Sequence, residues 1–132
     1  MPRGMGRCGG QKLFFLQSCL LLLLHRRSSY GYSLIEDLQE FGFSPGQMDI
    51  SILYRTLREL EMAELVISSW DENSRGPQRR MYTITPRGEE TLAQWIAALR
   101  QRRQEIERLE AAYLATSRSE EHTSELQSRQ VI

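Results

Sequence analysis

Apolar residues repeat along this chain with changing period, and each change marks an element. Leu13–Leu24 is an almost unbroken apolar run and predicts a first helix buried on nearly all sides. Leu34, Ile35, Leu38 and Phe41 fall on one side of a second, shorter helix. Ser29 is placed to cap it, and Gly42 to end it in a left-handed conformation. Phe43–Met48 reads as a connector. Asp49 then offers an N-cap, and Ile50, Leu53, Leu57 and Leu60 share one face of a third helix. Two β-branched and aromatic runs follow, Leu65–Trp70 and Arg79–Ile84. Between them Asp71–Gln78 is a run of turn formers. Thr85 as cap and Pro86 at the first helical position open a last helix reaching Ala115.

The predicted order is three helices, a strand, a turn, a strand and a helix. This fold class is mainly α with a small β-hairpin wing, a winged helix-turn-helix followed by a C-terminal helix. It divides the chain into a flexible leader at 1–11, a winged-helix domain at 12–85, a C-terminal dimerisation helix at 86–115 and a tail at 116–132. Leu92, Trp95, Leu99, Ile106, Leu109 and Tyr113 keep a three-four spacing along the last helix, with Arg102 in one seam position. Near-heptad spacing lets two such helices bury a shared seam, so it predicts a homodimer.

Charge changes the picture locally. The chain has no net charge, with 17 Lys and Arg against 17 Asp and Glu. Yet Arg75, Arg79, Arg80 and Arg87 crowd the hairpin. Ser51, Tyr54, Arg55 and Arg58 line the third helix away from its leucines. Arginine suits guanine edges and phosphates, so a polar helix face beside a basic hairpin points to duplex DNA. The helix would enter the major groove, and Arg75, Arg79 and Arg80 would hold phosphates or the minor groove. An ordinary solvated helix face, with Arg55 and Arg58 paired to Glu59 and Glu61, is the plainer alternative. A winged-helix module that binds protein instead of DNA is the other, although such modules usually lose the basic wing.

Other chemistries find little to stand on. The sequence holds no nucleophile elbow, phosphate-cradling glycine loop or metal-ligand spacing, so neither catalysis nor a cofactor is expected. His25 ends the first apolar run beside Arg26 and reads as a helix-end residue. The apolar run imitates a signal peptide, with Arg3, Arg7 and Lys12 ahead of it. It lacks the small-residue cleavage pattern and is short of the roughly 20 residues that cross a bilayer. Cys19 reads as a buried free thiol and Cys8 as an exposed one, which suits a reducing, cytoplasmic compartment.

Three stretches carry a family resemblance. Tyr30–Ile35, Leu53–Glu61 and Arg79–Gly88 are similar to the signature segments of PadR-like transcriptional regulators, within a resemblance covering about residues 11 to 115. It departs at Tyr30, where the family often has histidine, and at Met62-Ala63, where glycine is common. The resemblance implies a homodimeric winged helix-turn-helix repressor, often relieved by a small-molecule effector. It implies that the helix with Leu53-Tyr54-Arg55 enters the major groove of an inverted-repeat operator. An effector is expected near Trp95 and the apolar face of the first helix. Arg118–Ser128 resembles an in-frame translation of a sequencing-library adapter. That predicts a natural chain interrupted near Ala115–Ser117, and makes His122 no candidate for a metal or catalytic site.

Overall fold

The computed structural model describes residues 8–44, 46–71 and 79–122. Its elements are α1 (Cys8–Arg26), β1 (Ser29–Tyr30), α2 (Gly31–Asp37), a 3-10 helix (Leu38–Phe41), α3 (Ile50–Met62), β2 (Val66–Trp70), β3 (Arg80–Ile84) and α4 (Pro86–His122). The chain divides into two compact units, Met1–Trp95 and Ile96–Ile132.

The core of the first unit is built largely from leucine. Leu20, Leu21, Leu24, Leu34, Leu38, Leu53 and Leu57 are wholly buried. Each such side chain stabilises by about 1.5–3 kcal/mol relative to leaving it in water. Cys19 lies among them at 5% exposure, and burial pushes its thiol up to about 11. α1 is less enclosed than its apolar run suggests, because Leu13 and Phe15 near its start are exposed. α1 also starts at Cys8, inside the stretch expected to be a flexible leader. Once a helix is nucleated, each added residue gains a hydrogen bond, so α1 extends backward through two glycines.

Ser29 does not cap α2. Tyr30 occupies the cap position without a side-chain bond, and Ser29 pairs with Tyr82 instead. The result is a three-stranded antiparallel sheet in the order β1-β3-β2, one strand more than the hairpin read from sequence. The hairpin register pairs Val66 with Ile84 and Trp70 with Arg80. Gly42 ends the 3-10 helix at φ 96°, in the left-handed conformation expected of it.

Thr85 caps α4, as its sequence suggested. Its hydroxyl oxygen accepts from Gly88 N–H at 2.9 Å while its proton goes to the Glu64 carbonyl at 2.8 Å. Gly88 is required at that spot, since a Cβ would sit 2.2 Å from the Leu65 carbonyl oxygen. α4 continues past Ala115 to His122. Thr123–Ile132, the rest of the adapter-like tail, lies outside the described residues.

Candidate nucleic-acid interface

The third helix begins as the sequence predicts. The Asp49 carboxylate accepts from the Ser51 backbone at 3.0 Å and from the Ser51 hydroxyl at 2.8 Å. These bonds, the hydroxyl's first, hold the Asp49 pKa below the usual carboxylate value. Ser51 therefore spends its hydroxyl proton on the cap and keeps only its oxygen lone pairs for a partner. Leu53, Thr56, Leu57 and Leu60 are buried, which leaves Ser51, Tyr54, Arg55 and Arg58 on the exposed side.

Arg55 and Arg58 take part in no hydrogen bond or ion pair among the described residues. Glu61 is not their partner, because its carboxylate accepts from Ser68 at 2.8 Å. Two exposed guanidiniums thus face outward with their donors unspent. Tyr54 is held differently. Its ring lies against Gly31, so close that a Cβ there would meet the Tyr54 hydroxyl oxygen at 2.6 Å. This contact joins the Tyr-Gly-Tyr segment to the Leu-Tyr-Arg segment and explains why a glycine stands between two tyrosines.

The wing arginines, by contrast, are seated. Arg80 donates to Ser68 Oγ at 2.7 Å and lies 4.8 Å over the Trp70 ring. Arg79, on the opposite face of β3, donates to Tyr32 Oη at 2.7 Å. Both remain exposed. Arg75 lies outside the described residues. Tyr32, Tyr30 and Trp70 are parts of this surface that the sequence pattern did not single out. Only their aromatic character next to basic positions signalled them.

A groove of about 840 Å³ borders the exposed side of α3. Phe15, Phe43, Met48, Ile52 and Arg55 are among its walls, and Phe15 stacks on Phe43 at 5.9 Å. Trp95 is not part of it. Its ring instead meets Phe14 edge-on at 5.2 Å, and Leu92 is buried in the core. In the second unit Ile106, Leu109 and Tyr113 are exposed, as are Ile96 and Leu114.

The transcriptional regulator PadR-like family matches residues 20–94, which span α1 through the start of α4. This chain belongs to the PadR-like family. A crystal structure of a conserved protein of unknown function, described as a potential transcriptional factor, shares 33% identity and a TM-score of 0.69. It aligns over 88% of this chain and 99% of its own. The PadR-like transcription factor from Bacteroides fragilis shares 26% identity over 76% of this chain and 95% of its own, with a TM-score of 0.65. The PadR family regulator from Eggerthella lenta shares 29% over 71% and 80%, with a TM-score of 0.63. No curated protein matched. The PadR-like chain is accordingly a transcriptional regulator with a winged-helix fold. Among its described residues no helix is long and apolar enough to cross a membrane.

Proposed function

We propose that this chain is a cytoplasmic, homodimeric, sequence-specific repressor that reads an inverted-repeat operator and responds to a small-molecule effector. The observation that carries the reading is the pair of unpaired guanidiniums, Arg55 and Arg58, on the open face of a capped helix. Ser51, Tyr54, Arg55 and Arg58 read base edges in the major groove. Arg79 and Arg80, with Arg75 at the turn, hold backbone phosphate.

The second copy docks on α4. Leu99, Ile106, Leu109 and Tyr113 form the shared seam. Leu92 and Trp95, expected from the spacing to join it, are already engaged by their own unit, which supports a seam beginning beyond them. Two heads set about one helical turn apart read the two halves of the operator.

The effector seat moves from Trp95 to the groove beside α3. Its volume and apolar walls suit a drug-sized ligand, for which pockets hold about 300–1,000 Å³. A ligand there touches Arg55 and competes with DNA for it.

The division of labour between helix and wing is tested by selecting bound sequences from random duplexes with two variants. Arg55→Ala is expected to relax base preference at one position of each half-site, at a cost of about 1–3 kcal/mol. Arg79→Ala is expected to weaken all sequences alike and to leave the selected motif unchanged. An identical, uniform loss from both would contradict the assignment. Charge reversal at Arg79 and Arg80 separates this reading from a protein-binding module, which would keep its partner and show no salt-dependent DNA affinity to lose.

A further inference from the structure

The root of the hairpin carries a cluster that the reading so far leaves unused. Tyr30 sits on β1 and Tyr32 in the first turn of α2, with rings stacked at 5.5 Å and 12°. The Arg79 guanidinium lies 5.0 Å from the centre of the Tyr32 ring and 5.7 Å from that of Tyr30. Its Nη1 donates to Tyr32 Oη at 2.7 Å. The Tyr30 hydroxyl donates to the Asp71 carboxylate, and the Asp71 backbone N–H donates to the Arg79 carbonyl at 2.8 Å. One acidic residue therefore fixes both the lower ring and the strand that bears the arginine.

We propose that Tyr32 is itself a DNA-backbone contact and the residue that positions Arg79, the two forming one clamp for a phosphodiester. This deepens the DNA-reading proposal above and rests on it. Tyr32 Oη accepts from Arg79, so its own proton is left to donate, and Tyr32 is 48% exposed. A guanidinium has five N–H donors, of which this contact uses one. Hydroxyl and guanidinium thus present adjacent donors to the same side. Stacking on two rings restrains the long side chain before DNA arrives, which reduces what binding must order. A phosphate held this way carries no base information, so the clamp serves every sequence equally.

The test is a salt titration of the full chain on two duplexes of unrelated sequence, each about 30 base pairs long, so that both half-sites fit. Binding is read by fluorescence anisotropy. Arg79→Ala removes a charge and is expected to lower the slope of log affinity against log salt by about 0.9. Tyr32→Ala removes no charge, yet it is expected to lower the slope by a similar amount and to weaken both duplexes about tenfold. Combined with Arg79→Ala it should cost little more, because both variants break the same clamp. Tyr32→Phe keeps the ring and loses only the hydroxyl. It is expected to cost about threefold with most of the slope retained, and it decides the matter if Tyr32→Ala does not fold. Wild-type affinity for Tyr32→Phe, or a wild-type slope for folded Tyr32→Ala, overturns the proposal. If the wild-type chain binds neither duplex at any salt, the DNA reading fails first and the clamp with it.

Discussion

At the scale of single residues, the interface is divided between groups left free and groups held in place. Arg55 and Arg58 keep all their donors, which suits contacts that must adapt to base edges. Arg79 and Arg80 are each stacked on aromatic rings and hydrogen-bonded to a hydroxyl, which suits contacts to a regular backbone. Tyr54 owes its place to the missing side chain of Gly31. Gly31→Ala is therefore expected to destabilise the fold by about 1–3 kcal/mol through overpacking. Tyr54→Ala added to it should recover most of that loss in urea unfolding. A double variant as unstable as Gly31→Ala alone would mean that the glycine serves some other contact. The free face of α3 was legible in the sequence, because periodicity assigns leucines and arginines to opposite sides. The stacking of Tyr30, Tyr32 and Arg79 was not, since it joins residues 47 positions apart across a strand pairing that no local pattern encodes.

At the scale of elements, α3 shows how far local signals carry. Its start is written in Asp49. Its end lacks the glycine usual there, and Glu64 takes the left-handed position at φ 65°. The bonds Leu65 N–H to Leu60 carbonyl and Glu64 N–H to Glu61 carbonyl, both 2.9 Å, close the helix as a glycine would. A β-carbon in that conformation costs roughly 1–2 kcal/mol. Glu64→Gly is thus expected to raise the melting temperature by about 4 °C, net of the glycine's own entropy. The exposed Glu64–Arg87 pair that it removes, at 3.5 Å, contributes little. An unchanged or lower melting temperature would show that the helix end is not strained. β1 escaped the sequence reading because two residues are too few for a period, and Ser29 is as good a cap as it is a strand residue. The far end of α4 escaped it for a different reason. Its last residues have no apolar face, but glutamate and arginine propagate a helix already formed.

At the scale of the whole molecule, the account joins a reading head to a dimerisation helix. The winged-helix architecture was legible because each of its helices carries a cap or breaker at one end and an apolar stripe between. The seam was legible only in part. Spacing alone cannot say whether Leu92 meets a partner or its own core, and the structure places it in the core. Leu109→Glu tests the seam beyond it. Burying an unpaired charge in each copy costs about 3 kcal/mol or more, so the dimer dissociation constant should rise at least about 100-fold in sedimentation. Far-ultraviolet circular dichroism of the first unit's helices and sheet should be preserved. Unaltered association would move the interface elsewhere.

The central claim is that the open face of α3 and the wing together read a duplex as a symmetric pair. Selection from random duplexes by the full-length chain at near-physiological salt addresses it most directly. The account predicts enrichment of an inverted repeat whose half-sites lie about one helical turn apart. A folded, dimeric chain that enriches no sequence would contradict it.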